Sequence, residues 1–192
     1  MNFKNKIFSE NELKGKDFTD SSFANCQFNG VILKFSSFVR CEFRLCDFSG
    51  AILRDTNFSK CSFPESKLSY LDFSNTTIKE CDFSESVASY ATFQQLKPDS
   101  SYERKKFNLQ GCVFQKTNLE RAVFVLCDLT NVSFAGSDLS GVVFEKCKLA
   151  KTDLSGCNLG GIGFSGSEIK ETILDFDGFL SYGQSKGFVL TK

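Results

Sequence analysis

The chain has 192 residues and is neutral at pH 7, because 23 basic side chains balance 23 acidic ones. This balance gives no argument for direct binding to nucleic acid or to a membrane surface. The chain contains no histidine, which excludes Ser-His-Asp and Cys-His catalysis and every histidine-based metal site.

The N-terminal segment, residues 1–14, carries charges but lacks the apolar core of a secretion signal. The longest apolar run, from Ala122 to Cys127, covers six residues and is far too short to span a membrane. We therefore expect a cytoplasmic protein that forms one domain over residues 1–192 and makes no membrane contact.

A period of five residues governs most of the chain. Every fifth residue from Leu13 to Phe93 is large and apolar except Ala88, and the spacing resumes from Leu109 to Leu174. A second series, of small residues, lies two positions before the first. Neither a helix nor a strand repeats every five residues, so we predict a coil that turns a corner after each unit.

Identical large residues recur every twenty positions, as at Phe23, Phe43, Phe63 and Phe83. If each coil has four sides of five residues, residues twenty positions apart lie directly above one another in successive coils. Stacked coils then lie about 4.8 Å apart, the spacing between strands. The pattern predicts about eight coils, with repeats over residues 8–93 and 107–174 and both ends requiring a cap.

All nine cysteines fall on the small-residue series: Cys26, Cys41, Cys46, Cys61, Cys81, Cys112, Cys127, Cys147 and Cys157. Random placement would put about one fifth of them there. The series therefore identifies them as small buried core residues, the usual state of free cysteine. Because the sequence has neither a C-x-x-C motif nor a histidine partner, we predict no metal site and no cofactor.

The largest interruption of the period is the segment 94–106, QQLKPDSSYERKK. Its turn residues and charges predict an exposed loop that projects from the coil. One interpretation is a partner-binding loop that uses Lys97, Tyr102, Arg104, Lys105 and Lys106. The other is an insertion that a solenoid corner tolerates without a function.

Some outward positions carry apolar side chains that can mark an interaction surface. Val123, Val125, Leu126 and Val143 flank one column and form a candidate patch. A second group, Ile32, Phe35 and Ile52, lies beside Lys14, Lys34 and Arg54. Tyr70 and Tyr90 are expected to stack at one corner.

The C-terminal segment, residues 175–192, contains too many apolar residues for a free tail. We predict a short helix and then a Phe-Val-Leu strand, although Gly178 and Gly183 weaken the helix. The segment is expected to cap the last coil, to form a homodimer contact, or to do both. The residues concerned are Phe176, Phe179, Leu180, Tyr182, Phe188, Val189 and Leu190.

The five-residue pattern resembles the pentapeptide-repeat family, which implies an all-β, right-handed quadrilateral β-helix. Both ends resemble the Qnr type of quinolone-resistance protein, at Lys6-Ile7-Phe8 and Asp17-Phe18-Thr19 and again at Gly187-Phe188-Val189-Leu190. That resemblance implies a dimeric rod that mimics duplex DNA. Such a rod binds DNA gyrase or topoisomerase IV and shields it from quinolones, and its mid-rod loop contributes.

A mimic of DNA is expected to be acidic, since the partner's DNA groove is basic. This chain is neutral, so mimicry would depend on local patches near the dimer junction. The alternative function is a generic protein–protein interaction scaffold with a different partner. Either way we predict a non-enzymatic protein, because the sequence has no phosphate-binding glycine loop and no convergent catalytic group.

Overall fold

The structure is a computed structural model that describes residues 1–94, 106–189 and 191. It contains the helices α1 (Glu10–Leu13) and α2 (Phe176–Ser185) and fourteen short strands. The strands are β1 (Asn2–Lys4), β2 (Asp17–Thr19), β3 (Ser22–Ala24), β4 (Ile32–Lys34), β5 (Ser37–Val39), β6 (Glu42–Arg44), β7 (Ile52–Arg54), β8 (Thr56–Ser59), β9 (Thr76–Lys79), β10 (Thr92–Gln94), β11 (Phe107–Asn108), β12 (Val123–Val125), β13 (Cys127–Asp128) and β14 (Val143–Glu145).

Successive coils pair in parallel on four faces, and each face is named here after one of its central residues. The Phe23 face contains β1, β3 and β6, and the Leu33 face contains β4 and β7 and then β10, β12 and β14. The Phe38 face contains β2, β5, β8 and β9 and then β11 and β13, and the Phe28 face is held by isolated bridges such as Gln27 with Asp47. Pairs twenty residues apart, such as Phe23 with Phe43, confirm the predicted β-solenoid.

The core consists of columns of aromatic rings that run along the rod. Phe28 and Phe48 stack with ring centroids 4.4 Å apart, and Phe23 and Phe43 stack at 4.7 Å. Rings on neighbouring faces meet edge to face, as Phe23 and Phe28 do at 5.7 Å. Both arrangements are the favoured geometries of aromatic pairs, so phenylalanines can pack along a column and against the neighbouring column. Leucine and isoleucine fill the remaining inward positions, as at Leu33 and Ile78.

Corner residues adopt a left-handed backbone. Within the described ranges, twenty non-glycine residues have positive φ, among them Phe35 (57°) and Leu45 (54°). None of these twenty is valine, isoleucine or threonine, because a branched Cβ makes this region costly. Residues without a branch at Cβ, among them asparagine and aspartate, occupy these corners instead and direct their side chains outward.

The two ends depart from the pattern in different ways. The first coil begins at β1, where Phe3 pairs with Phe23, earlier than the predicted start at residue 8. In the last coil Ile169 is 57% exposed, because no further coil covers it.

The predicted C-terminal helix is present as α2, but the predicted strand over residues 188–190 is wrong for the two residues that the structure describes. Gly187 (φ 87°) ends the helix in a Schellman motif, in which Phe188 N–H donates to the Gly183 carbonyl at 3.1 Å. That bond turns the chain back onto α2 and away from the edge of the coil. Leu190 lies outside the described residues.

Candidate partner-binding surfaces

The predicted partner loop falls mostly outside the part of the chain that the structure describes, since Lys97, Tyr102, Arg104 and Lys105 lie among residues 95–105. Lys106 is described, and it lies half-exposed where the chain re-enters the coil. It lines a groove of about 510 Å³ together with Glu80 and the polar side chains of β9 and β11. The Phe38 face is divided at this groove, because one sheet ends at β9 and the next begins at β11.

The C-terminal cap is fixed to the last coil through Asp175. One carboxylate oxygen accepts from the Gly178 N–H at 2.7 Å and caps α2, and the other accepts from the Gly156 N–H at 2.6 Å. These amide donors hold the pKa of Asp175 below its usual value. A single side chain therefore sets both the start of the helix and its position on the coil.

The inner side of α2 closes the rod. Gly178 is buried, and a side chain there would meet Leu159 and Leu174 of the last coils. Tyr182 packs edge to face on Phe164 with centroids 5.5 Å apart. Lys186 donates to the Ile162 carbonyl at 3.1 Å. The predicted capping role is thus carried by Leu174, Gly178 and Tyr182.

The outer side of α2 is apolar and open. Phe176 is 75% exposed and Phe179 is 64% exposed, and Phe188 and Val189 beyond the helix are more than 70% exposed. Phe179, Leu180, Tyr182, Phe188 and Val189 line a groove of about 340 Å³. Four large exposed apolar side chains at one end of the rod are typical of an interaction surface.

The candidate patch of valines is contiguous on the Leu33 face. Val123 and Val125 flank the buried Phe124 on β12, and Val143 on β14 pairs with Val123. Leu126 follows at the corner with a positive φ of 53°. All four side chains point outward and are half-buried or exposed, as the sequence indicates.

The cysteines are free, buried and directed into the rod. Burial raises the pKa of Cys46 to about 12 and the pKa values of Cys112 and Cys157 to about 11, so these thiols are protonated at neutral pH. Among the described residues, no group of three or more cysteine, aspartate or glutamate side chains could hold a metal ion. The same residues include no helix long and apolar enough to cross a membrane.

The small-residue series has a role that the sequence reasoning missed. The Cys147 thiol donates to the Phe124 carbonyl at 3.3 Å, twenty-three residues earlier. Ser36 and Thr152 make the same contact with Leu13 and Leu129 at 2.7 and 2.8 Å. The mixture of cysteine, serine and threonine at one position was the available signal, because these side chains share a short donor group.

Comparison with known proteins shows the same repeat. The family profile described as "Pentapeptide repeat region" matches residues 36–105 and 98–174. Full-length QnrB1, a plasmid-mediated fluoroquinolone resistance protein, is 22% identical over 95% of this chain and 96% of its own, with a TM-score of 0.50. That likeness shows the fold.

Two other solved structures are similar in part. HetL, a pentapeptide repeat protein involved in heterocyst differentiation regulation in the cyanobacterium Nostoc, is 16% identical, with coverage of 88% and 84% and a TM-score of 0.39. Rfr23 from the cyanobacterium Cyanothece is 16% identical, with coverage of 85% and 86% and a TM-score of 0.33. No curated protein sequence matches the chain. The profile spans more than half of the chain and its period is the one that builds the coils, so the chain belongs to the pentapeptide-repeat family.

Proposed function

We propose that this chain is a non-enzymatic, cytoplasmic protein that binds DNA gyrase or topoisomerase IV and protects it from quinolone-type inhibitors. The proposal is supported by the end-to-end match with QnrB1, a fluoroquinolone resistance protein, and by the construction of the C-terminal end. That end combines an exposed apolar surface with a local excess of acidic side chains.

The acidic excess is the observation on which the proposal depends. From residue 153 to residue 177 the chain carries five acidic side chains and one basic one, Lys170. Asp153, Glu168 and Asp177 have no ion-pair partner within the described part of the chain. A local negative surface is what a basic DNA-binding groove attracts, even when the whole protein is neutral.

A homodimer through α2 would enlarge this acidic surface. A two-fold interface places the same patch of both copies side by side, so Phe176 and Phe179 would be covered and the acidic segments 153–177 of the two copies would lie close together. DNA mimicry in this form needs only the central part of the dimer to be acidic.

The test is a gyrase supercoiling assay with a fluoroquinolone and micromolar protein. We expect the wild-type chain to restore supercoiling and Phe179→Asp to fail, because the buried dimer contact would contain two carboxylates. The matched control is Ile7→Asp, at an exposed isoleucine at the other end of the rod, which should protect like the wild type. Sedimentation analysis should give a dimer for the wild type and a monomer for Phe179→Asp.

A second candidate function is a protein–protein scaffold for a different partner. It is favoured by the paired charges along the corners, such as Arg40 with Asp20 at 2.6 Å and Lys151 with Glu171 at 3.7 Å, which leave most of the rod without a net field. Absence of protection at micromolar wild-type protein would favour this candidate.

A further inference from the structure

The Leu33 face of the N-terminal coils carries two adjacent ladders of unlike chemistry. Strands β4 and β7 pair in register, so Ile32 lies opposite Ile52 and Lys34 lies opposite Arg54. Leu33 and Leu53 between them point into the core. We call the outward side chains of these strands, with Phe35 at the corner, the Ile-Lys surface.

The apolar part of this surface is open to solvent. Ile52 is 43% exposed and Phe35 is 57% exposed, while Ile32 is half-buried. The corner before Ile32 is Gly30, and no atom lies within 4 Å of the place where its Cβ would be. Gly50 takes the same place before Ile52, so neither corner carries a side chain beside the isoleucine pair.

Lys34 and Arg54 form the cationic ladder of this surface. Lys34 and Arg54 are directly opposite each other, an arrangement of like charges that weakens a sheet. Neither Lys34 nor Arg54 has an ion-pair partner among the described residues. By contrast, Lys60 forms an ion pair at 3.5 Å with Glu80, which lies on the next coil. Lys34 instead lies over the Phe35 ring at 4.9 Å.

Lys14 extends the ladder by one coil. Its neighbour Gly15 donates to the Lys34 carbonyl at 2.8 Å, which places Lys14 above Lys34. The contact of Lys14 with Glu10 is long, at 3.9 Å, and the nearby Glu12 is occupied by Lys6 at 2.8 Å. Three cations therefore stand in a row of about 10 Å, two coil spacings long.

We propose that the Ile-Lys surface docks an acidic amphipathic helix of a protein partner. An added β-strand does not fit this face, because its backbone groups already pair between coils, as Phe35 N–H with the Arg54 carbonyl and Ile52 N–H with the Val31 carbonyl, both at 3.0 Å. A helix satisfies its own backbone and binds through side chains alone. Seven helical residues rise about 10 Å, so acidic residues spaced three and four apart match the row of cations.

The same helix would place its apolar stripe on Ile32 and Ile52. These lie two residues along the strand from the cations, a distance of about 7 Å. The contact buries the isoleucines and removes the repulsion between Lys34 and Arg54. It lies on the N-terminal coils and has the opposite charge to the C-terminal surface, so it does not rest on the proposed function.

The test uses a fluorescein-labelled synthetic helix of about 20 residues with leucines on one stripe and glutamates on the adjoining one, and anisotropy measured against the full chain. We expect saturable binding that weakens at least about tenfold in Lys34→Glu/Arg54→Glu. The matched control, Lys116→Glu/Lys170→Glu, makes the same change in net charge at exposed lysines elsewhere and should bind like the wild type. If the Glu variant does not fold, Lys34→Gln/Arg54→Gln replaces it.

Several results would overturn the proposal. The first is equal binding by the ladder variant and the control variant. The second is equally tight, equally ladder-dependent binding of duplex DNA or of anionic phospholipid vesicles, which would make the surface a general anion site. The third is self-association of the chain that is lost in the ladder variant, because a second copy would then occupy the surface. Full binding after Ile52→Asn would also contradict it, since the apolar ladder would then contribute nothing.

Discussion

At the residue scale, the small inward position serves two purposes in many units. It leaves room for the large residue two positions later, and where it is cysteine, serine or threonine its side chain commonly donates to a carbonyl of the preceding coil. Cys61 contacts the Phe38 carbonyl at 3.2 Å and Ser66 contacts the Phe43 carbonyl at 2.6 Å. Where the position carries a polar residue, a short side chain with one donor fits it, and cysteine, serine and threonine all qualify.

This requirement predicts the effect of substitutions at Cys147. Replacement by serine should change the free energy of unfolding by no more than about 1 kcal/mol, because Ser167 makes the same contact with Phe144 at 3.0 Å in the next coil. Replacement by leucine should cost about 1–3 kcal/mol, because the coil has no space for the added atoms. Urea unfolding measures the change in the free energy of unfolding for each variant. Equal losses of stability in the serine and leucine variants would contradict a size limit at this position.

The buried thiols also predict a loss of stability at alkaline pH. The folded-state pKa values of Cys46, Cys112 and Cys157 lie near 11 to 12, above the value of about 8.5 for a free thiol. The unfolded chain thus loses its thiol protons first and is stabilised as the pH rises. Stability from this source is complete below about pH 8.5 and is lost progressively as the pH approaches 11 to 12.

Urea midpoints measured from pH 7 to pH 11 test this expectation. The wild type should be constant up to about pH 8.5 and then decline. A variant with serine at positions 46, 112 and 157 should decline less over the same range. A wild-type midpoint that stays constant to pH 11 would contradict the raised pKa values.

At the element scale, α2 forms despite two glycines that lower its helix propensity. Position 178, where the helix contacts the coil, requires a glycine, because a Cβ there would lie 2.8 Å from Asp175 Oδ1. That oxygen cannot withdraw without losing its bond to the Gly178 N–H. Gly183 has no such constraint, since its nearest neighbour would be the Phe188 Cβ at 4.0 Å.

The two glycines therefore predict opposite results for the same substitution. Gly183→Ala should stabilise the cap by up to about 1 kcal/mol through helix propensity. Gly178→Ala should destabilise it by about 1–3 kcal/mol, since overpacking outweighs the propensity gain. Trypsin cleavage at Lys186 should become faster in Gly178→Ala and slower in Gly183→Ala. Stabilisation by both substitutions would show that α2 does not dock as described.

The elements differ in how far the sequence predicts them. The β-solenoid is predictable because every coil has its inward residues at the same positions. The pattern is therefore repeated in each coil, as at Phe23, Phe43 and Phe63. The helix α1 was missed, although Ser9 and Glu12 form a capping box that the sequence displays. The predicted strand rested on apolar content, and at Phe188 and Val189, its two described residues, the positive φ of Gly187 turns the chain away instead.

At the scale of the whole molecule, candidate surfaces are less predictable than the core. The sequence indicates that Val123 and Ile52 point outward, because they flank inward residues. It does not indicate that Asp175 joins α2 to Gly156, or that the sheet on the Phe38 face is divided at β9. Those features depend on how non-repeating segments fit the ends and the corner of a repeating rod, which a local pattern does not encode.

The register across segment 94–106 provides the last prediction. Phe93 pairs with Phe124, thirty-one residues later, whereas pairs that do not span the segment are twenty residues apart, so the chain holds eleven extra residues in this coil. Deleting residues 95–105 removes these eleven residues, so every later large residue keeps its inward position. We expect this variant to fold with unchanged or higher thermal stability, because a shorter loop costs less entropy to close.

Deleting only residues 96–105 is the matched control, because it shifts the later coils by one position. Phe124 would then meet a solvent-facing position, and we expect the C-terminal coils to unfold or aggregate. Circular dichroism melting separates the two deletions. The in-register variant then isolates the function of the segment in the supercoiling assay. Loss of protection by this folded protein would assign partner contact to the segment, and full protection would identify it as a tolerated insertion.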